Sequence, residues 1–461
     1  MARVRHGAKA GRRGICPSAP RLDQTGSRKG IFMFHLGWFV YEAIQGWGSP
    51  EFDPAYGWST PRLHQDMARK LEGAGFDFIL LEDLSAIPDI YGASRAVYLR
   101  EAVHAPKFDP AVMAGFMAAA TSRIGIIPTL TTSFYPPFLL SRLTQTLDLM
   151  SGGRIGWNIV TSSSELAARN FGMPGLPEHD ERYDIADEYV ELCKALWRSW
   201  EPGAVLADTI TGVFADQDKV HAVDFSGAHY SVLGPLNVPP SPQGRPVLAQ
   251  AGSSPRGRRF AARHADIVLT PVNHPPAIKA FRDDIRRLAA EEGRDPDSVK
   301  VMALAFPHIC RDKKEVEQFR AYLQAVPDRR VLAWLAQLSA ITGIDMARFD
   351  LDEPLPADVD TNGSKGTLDW LRSGNATVRQ MALRLARLTP DTPMIGTAEQ
   401  VAAEMEEVMA QVGGDGFLIA GPLTPANVGR ATELLVPALR RRGLVRDGYR
   451  HDTLKSHLLE Y

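Results

Sequence analysis

The chain has 461 residues, 44% of them hydrophobic, and a formal net charge of −2, which is typical of a folded globular protein. Its 52 basic and 54 acidic residues nearly balance, which argues against a nucleic-acid partner. No apolar run reaches the ~18 residues that a membrane-spanning helix needs. Three well-separated cysteines (Cys16, Cys193 and Cys310) indicate neither a disulfide framework nor a zinc site, and they fit a reducing, cytoplasmic setting.

The first 30 residues are basic and rich in small side chains. The Arg12–Arg13 pair is not followed by an apolar segment, so it does not form a twin-arginine signal. We expect residues 1–30 to be a disordered basic extension, 31–450 to form a single domain, and 451–461 to be a C-terminal tail.

Eight strand-like segments alternate with helical patterns from residue 31 onward. The predicted strands are 31–40, 76–83, 124–134, 154–162, 246–252, 266–271, 299–310 and 416–422. The predicted helices are 60–75, 109–123, 136–153, 181–200, 254–265, 276–292, 313–326 and 425–442. Repeated βα units predict an α/β protein with a parallel sheet, and eight units predict a closed (β/α)8 TIM barrel. The irregular stretches at about 201–245 and 327–395 are then predicted to be insertions on barrel loops.

Polar residues gather where the predicted strands end. Thr129 lies in the third strand, and Thr161, Ser162 and Ser163 stand at the end of the fourth. In (β/α)8 barrels the carboxyl ends of the strands form the ligand site. We therefore expect a polar, nearly uncharged pocket that suits a large neutral heterocycle and suits a metal poorly.

The segment VLAQAGSSPRG (247–257) runs from a strand into a helix that has Pro255 in its first turn. Ser253, Ser254 and free backbone N–H groups would point at one spot, a geometry that attracts phosphate at a helix N-terminus. The alternative is that Ser254 is an ordinary N-cap.

Several motifs together carry a family resemblance. GRIGWNIVTS, ARNFG, HDERYDIADEYVELCKALW and PSPQGRPVLAQAGSSPRGRRFAARHAD occur in this order between residues 153 and 266. The chain resembles the bacterial-luciferase-like flavin monooxygenases from residue 31 to about 450. Within that family it is similar to the branch of nitrilotriacetate, dibenzothiophene-sulfone and long-chain-alkane monooxygenases.

The resemblance implies an FMN site at the carboxyl ends of the strands. It places Asp83 near the isoalloxazine, Thr129 and Ser162 in hydrogen bonds to the flavin, His179 and Tyr183 along the ribityl-phosphate, and Ser253 and Ser254 at the phosphate. At three of these positions the residue could instead have a purely structural role. Asp83 could cap the next segment, His179 could simply begin a helix, and Thr129 could bond to backbone.

The resemblance also implies an activity, that of an FMNH2-dependent two-component monooxygenase. A partner NAD(P)H:flavin reductase would supply FMNH2 by diffusion, and O2 would react with it to give a peroxyflavin that oxygenates a small organic substrate. The cofactor carries this chemistry, so a separate catalytic triad or metal is not required. Relatives of this kind imply a homo-oligomer, either a dimer or a tetramer. The insertion at 327–395 is expected to form a lid.

The substrate pocket is less well defined by the sequence. Tyr41 and Trp47 of the first βα loop, together with Phe134, indicate an aromatic lining. Ser163 stands where the alkane-oxidising relatives carry histidine, which favours an organosulfur or amine-type substrate. His308 is a candidate proton donor or acceptor, or alternatively a core histidine. No group of lysines or arginines among the expected pocket residues indicates a polyanionic substrate.

Two other functions stay open at this point. One is a deazaflavin-dependent dehydrogenase on the same fold, although the HDERYD and AGSS motifs match the FMN branch better. The other is a non-catalytic flavin-binding protein, although such proteins often lose barrel segments and this chain retains eight strands.

Overall fold

The structure, a computed structural model, is built around eight parallel strands that close into a barrel. It describes residues 33–42, 44–49, 51–272, 274–361, 363–389 and 392–461, so the predicted N-terminal extension lies outside the described residues. The strands are β1 His35–Val40, β2 Phe78–Leu81, β3 Gly125–Thr131, β4 Gly156–Val160, β5 Val247–Gln250, β6 Ile267–Thr270, β7 Lys300–Ala305 and β8 Gly416–Ala420. Each strand pairs with its neighbour in the chain and β1 pairs with β8, which confirms the predicted (β/α)8 barrel.

Sixteen α-helices surround the barrel within the described residues. They are α1 Arg62–Gly73, α2 Ala96–Arg100, α3 Pro110–Ala118, α4 Pro137–Met150, α5 Glu165–Asn170, α6 His179–Trp197, α7 Pro255–His264, α8 Pro275–Glu291, α9 Lys313–Leu323, α10 Asp328–Thr342, α11 Lys365–Arg372, α12 Val378–Leu385, α13 Ala398–Val412, α14 Pro425–Gly429, α15 Val436–Arg441 and α16 Leu454–Leu458. A π-helical turn, Arg430–Leu435, joins α14 to α15. No helix in the described ranges is long and apolar enough to cross a bilayer.

The strands formed where the sequence showed continuous apolar runs, because a parallel sheet covered by helices is buried on both faces. All residues of β2, β3 and β5 are buried. The predicted strand 299–310 is too long, because β7 ends at Ala305 and Pro307 has no N–H to continue the ladder. His308–Cys310 instead pairs with Ile395–Thr397 outside the barrel.

The insertion at 327–395 is not irregular, which corrects the prediction. It contains α10, α11 and α12, whose apolar residues form a cluster of their own that includes Leu335, Leu338, Leu371 and Met381. Two of these helices have only eight residues, too few turns for a clear hydrophobic period. The capping box of Thr377 and Gln380 marks the start of α12 and is a signal the prediction missed.

The insertion at 201–245 is mostly irregular, as predicted. Its regular pieces are a 3₁₀ turn, Gln217–Lys219, and two small antiparallel hairpins, Val205–Asp208 with Val213–Ala215 and Phe225–Ser226 with Ser231–Val232. The first hairpin exposes apolar side chains, with Ile210 95% and Phe214 62% exposed.

The C-terminal segment 451–461 fills the amino-terminal end of the barrel. Leu454 and Leu458 of α16 are buried in one cluster with Phe78, Ile127 and Met302. Space for them exists because β3 begins with a glycine, and a Cβ on Gly125 would lie 2.5 Å from the side chain of Leu454. The end of the chain is therefore part of the barrel core.

We predict that Leu454→Ala lowers the free energy of unfolding by about 2–5 kcal/mol, because it leaves a cavity beneath the barrel. Urea denaturation monitored by circular dichroism measures the loss. Leu459→Ala is the matched control, since Leu459 follows the same helix and is 55% exposed. Equal stability of the two variants would show that α16 does not plug the barrel.

Candidate active site

A cavity of about 480 Å³ opens at the carboxyl ends of β2 to β6. Its polar lining includes residues from four strands or the loops that follow them: Asp83, Thr129, Thr131, Asn158, Thr161, Ser162, Ser163 and Gln250. Its apolar lining includes Phe39, Leu80, Phe134, Leu269, Leu304 and Leu418. We call it the first cavity. It combines hydrogen-bonding groups on one side with an apolar floor, as ligand pockets commonly do.

Hydrogen bonds between β3 and β4 position the polar wall of the first cavity. The Asn158 amide donates to the Thr129 hydroxyl at 2.8 Å, and Ser162 Oγ donates to the Thr131 hydroxyl at 2.9 Å. The buried Asn158 Oδ1 has no hydrogen-bond partner. Ser162 holds a left-handed backbone conformation, φ 58°, which is uncommon for a residue with a Cβ and is enriched at functional sites. An unsatisfied acceptor and a strained serine thus face the same cavity.

The adjoining wall, at the end of β5, is built around the start of α7. Gly252 N–H donates to Gln250 Oε1 at 2.6 Å, and the Gln250 amide donates to the buried Tyr183 hydroxyl at 3.3 Å. A Cβ on Gly252 would lie 2.7 Å from that hydroxyl, and a Cβ on Gly257 would lie 2.9 Å from it. The two glycines therefore allow the loop, the helix start and Tyr183 to approach closely. We call this arrangement the glycine cradle.

Ser254 caps α7, because its hydroxyl accepts from the Gly257 N–H at 3.0 Å. It also lies 3.4 Å from His179 Nε2, so α6 and α7 meet beside the cradle. Ser253 is exposed, and neither its hydroxyl nor its N–H has a partner in the part of the chain that the structure describes. Arg256 is not available to a ligand as a free cation, since it pairs with Asp184 at 2.8 Å.

Two acidic residues follow β2, and their pKa values are shifted in opposite directions. Burial raises the pKa of Asp83, and a hydrogen bond from Ser85 at 3.2 Å partly opposes the shift. Burial acts in the same direction on Glu82, but the contacting Lys107 ammonium outweighs it and holds the pKa of Glu82 below its ordinary value. Glu82 is therefore a fixed anion with a fixed partner, while Asp83 takes up a proton more readily.

A second cavity, of about 580 Å³, lies beyond the ends of β1, β7 and β8 and is lined on one side by the insertion. Its aromatic lining comprises Trp38, Tyr41, Trp47, Phe306, Phe319, Tyr322 and Trp334. The two cavities meet at β1, where the rings of Phe39 and Tyr41 lie 5.7 Å apart and each faces one cavity. At the end of β7, likewise, Leu304 lines the first cavity and Phe306 lines the second.

Titratable groups also line the second cavity. Glu42 accepts from the Gly46 N–H at 2.7 Å, and burial raises the pKa of its carboxyl to about 7. His308 stacks on Phe319 with ring centroids 3.3 Å apart. Burial, with the nearby Arg430, lowers the pKa of His308 to about 4, so this histidine is neutral at physiological pH. At that pH Glu42 is protonated part of the time. His308 is uncharged and cannot act as a cationic proton donor.

The structure divides the predicted site residues between several places. Asp83, Thr129, Ser162, Tyr183, Phe134 and Ser163 line the first cavity, and Tyr41, Trp47 and His308 line the second. His179 and Ser254 meet beside the glycine cradle, and Ser253 lies in the adjoining loop. The sequence also allowed Ser254 to be an N-cap and Thr129 to bond to backbone. Ser254 does cap a helix. Thr129 is hydrogen-bonded within the sheet, but its partner is a side chain and not the backbone.

Sequence reasoning missed several lining residues. Gln250 is a polar residue inside the apolar run VLAQ, a signal that could have revealed it. The expectation that the pocket lacks a group of basic residues is wrong, because Arg330, Arg387 and Arg430 all line the second cavity. The insertion carries Arg330 and Arg387, and a π-helical turn carries Arg430. Sequence patterns gave no means of placing those elements against the barrel.

Comparison with known proteins gives one consistent result. The family model of luciferase-like monooxygenases matches residues 34–416. The dibenzothiophene-sulfone monooxygenase of Rhodococcus erythropolis is 36% identical over 406 residues, covering 86% of this chain and 89% of the relative. Component A of the nitrilotriacetate monooxygenase of Aminobacter aminovorans is 33% identical over 437 residues, covering 93% of this chain and 95% of the relative.

A solved structure agrees with these relatives. The crystal structure of a riboflavin lyase with modified FMN and its substrate riboflavin superposes with a TM-score of 0.83 at 32% identity. The superposition covers 93% of this chain and 96% of that one.

We predict that Glu42→Gln stabilises the protein above pH 7 and not below pH 4.5. Because burial raises the pKa of Glu42 from its ordinary 4.5 to about 7, the folded chain binds a proton in this window that the unfolded chain has lost. The contribution of the Glu42 carboxyl to the free energy of unfolding of the wild type therefore falls as the pH rises from about 4.5 to about 7. Thermal unfolding midpoints from pH 4.5 to 8 measure the difference between variant and wild type.

The control for this prediction is Glu433→Gln, which changes a carboxylate whose side chain is 69% exposed. We expect no comparable pH-dependent gain from it. A Glu42→Gln difference that stays constant across the range would contradict a protonatable carboxyl in the second cavity.

Proposed function

Because the chain belongs to the luciferase-like monooxygenase family, we propose that it is the oxygenase of a two-component system that uses reduced FMN and O2. It is a monooxygenase of the flavin-using kind, and its partner would be an NAD(P)H:flavin reductase that supplies FMNH2 by diffusion. The nitrilotriacetate relative is named as one component of such an enzyme, which supports a separate reductase.

The glycine cradle is the observation that carries the FMN assignment. Gly252 lines the first cavity, so the cradle opens directly from it. The N–H groups of Ser253 and Ser254 have no acceptor among the described residues, and they precede the ten-residue helix α7. Unpaired N–H groups and a helix dipole favour a phosphate at this position. Ser253, Ser254 and His179 would hold the phosphate end of the cofactor.

The polar wall of the first cavity suits the ring system of the same cofactor. The orphaned Asn158 Oδ1 would accept a hydrogen bond from a ligand N–H, which would relieve the cost of leaving it unpaired. Thr129 and Ser162 offer further hydroxyls, and Asp83 lies at the edge of the cavity. The apolar floor of Leu80, Leu269 and Leu418 would face a flat ring.

When bound, reduced FMN supplies two electrons to O2, so that one oxygen atom enters the substrate and the other leaves as water. The protein's own contribution is position and exclusion of water. Phe134 and Phe171 stack at 4.4 Å beside the first cavity, and Thr367 of the insertion also lines it. The insertion would thus act as a lid.

The substrate class follows from the relatives and the lining. One relative is named for a sulfone and the other for nitrilotriacetate, an amine. The aromatic second cavity lies next to the first, so we place the body of an organosulfur or amine-type substrate there.

We also propose a homo-oligomer, a dimer or tetramer, in which the exposed apolar hairpin at Val205–Ala215 is covered by a second copy. Light scattering gives its mass.

We predict that the purified protein, mixed with a flavin reductase, NADH, FMN and ¹⁸O2, incorporates one ¹⁸O atom into an accepted substrate. Mass spectrometry of dibenzothiophene sulfone, dimethyl sulfide and nitrilotriacetate reactions measures the incorporation. Anaerobic titration should also show that FMNH2 binds with one equivalent per chain. Folded protein that binds neither FMN nor FMNH2 would overturn the proposed cofactor site.

We predict that Ser253→Ala weakens FMN binding about tenfold and leaves riboflavin binding unchanged, since a hydrogen bond to a charged group contributes about 1.5–3 kcal/mol. Fluorescence titration of both ligands measures the ratio. Riboflavin is the matched control because it lacks the phosphate. The thermal unfolding midpoint should not move, because Ser253 is exposed and its side chain is unpartnered. An equal loss for both ligands would place Ser253 away from the phosphate.

A further inference from the structure

Arg387 is a cation in the second cavity that has no anionic partner among the described residues. Its guanidinium carbon lies 4.4 Å from the ring centroid of Trp370 and 5.2 Å from that of Phe306. It makes no side-chain hydrogen bond and no ion pair with any residue that the structure describes. Burial lowers the pKa of Arg387 to about 10. The group remains charged at neutral pH while five N–H donors lack an acceptor.

Two other arginines that are largely removed from water show the contrast. Arg430 lines the same cavity and donates to Glu315 at 2.7 Å. Arg282 donates to Asp415 at 2.6 Å. A guanidinium that is partly removed from water and left unpaired is costly, which is why arginines in such places usually have carboxylate partners. An acceptor from outside the chain would satisfy Arg387 in the way that Glu315 satisfies Arg430.

A second guanidinium lines the same cavity. Arg330 of α10 has no ion pair with any residue that the structure describes, and its charge acts on Tyr41 and Glu42, which line the same cavity. Arg330 and Arg387 both belong to the insertion, while the aromatic rings come from the barrel ends, α9 and α10. The cavity therefore presents aromatic rings and two guanidinium groups without an ion pair among the described residues, beside the carboxyls of Glu42, Glu51 and Glu315, of which Glu315 is paired with Arg430.

We propose that Arg387 binds an oxyanion of the substrate, a carboxylate or a sulfonate, so that the enzyme oxygenates an organic anion with an apolar or aromatic body. The planar fork of the guanidinium matches the two oxygens of such a group, and the stacked rings fix its plane. Arg330 adds long-range attraction from the other side of the cavity. The anionic end would then lie in the second cavity, with the reacting part directed past Phe39 and Tyr41 toward the first.

That such a molecule is oxygenated rests on the proposed function, but the binding of the anion does not. The test therefore uses flavin-free protein and two probes of equal shape, benzoate and benzamide, titrated by isothermal calorimetry. We expect benzoate to bind at least tenfold more tightly than benzamide. Arg387→Met should abolish this preference while keeping an unbranched side chain between the rings, and Arg387→Lys should retain part of it.

Arg329→Met is the control, because Arg329 is the neighbour of Arg330 in the same helix and pairs with Glu101 at 3.0 Å on the surface. It should leave both affinities unchanged. Equal binding of benzoate and benzamide to the wild type, or a benzoate preference that survives Arg387→Met, would overturn the proposal. Titration of FMN into Arg387→Met separates the two sites. Loss of FMN affinity with benzoate binding retained would assign the guanidinium to the cofactor and overturn the proposal as well.

Discussion

Closure of the parallel barrel between β1 and β8 is the constraint on which every site in this molecule depends. The ladder runs from His35 opposite Gly416 to Phe39 opposite Ala420. A Cβ at position 416 would lie 2.3 Å from the His35 carbonyl oxygen, so the two strands approach this closely because β8 begins with glycine. Once the ring is closed, eight carboxyl ends point the same way. Thr129, Asn158 and Gln250 then share one cavity although they are distant in the chain.

The opposite end of the barrel carries the charges that hold the strands in register. An aspartate directly before each of β2, β6 and β8 accepts from the backbone of an adjacent strand. Asp77 accepts from Leu36 N–H at 2.8 Å, Asp266 from Leu248 N–H at 2.8 Å and Asp415 from Val301 N–H at 3.2 Å. Each of the three also receives a guanidinium, from Arg446, Arg245 and Arg282 respectively. Buried ion pairs are strongly destabilising to break, so this end is rigid while the other end is free to vary in chemistry.

The limits of prediction from sequence follow from the same division. Barrel strands are buried on both faces, so β2 and β3 were visible as apolar runs, and the hydroxyls of Thr129 and Ser162 stood out at strand ends. Elements that pack outside the barrel had no such signature. The short helices α11 and α12 bury only one face each, against α10, and Arg387 follows the last of them in a turn with φ 54°. Its place beside Phe306 depends on a contact between residues 81 positions apart, which no local pattern encodes.

The insertion at 327–395 therefore contributes to both cavities, which are otherwise built from different parts of the chain. The first cavity is made of barrel residues with Thr367 as a contribution from the insertion, whereas the second takes Arg330, Trp334 and Arg387 from it. Barrel positions are constrained by strand register, since a shift by one residue would turn Thr129 and Asn158 out of the cavity. Insertion positions carry no such constraint and can change without disturbing the ladder. Under the proposed function, the strand ends would therefore hold the cofactor and the insertion would select the substrate. Because α10 and α11 pack in one cluster, a displacement of the proposed lid that admits substrate to the second cavity would also move Thr367 at the first. Exchange of cofactor and entry of substrate would in that case use one movement.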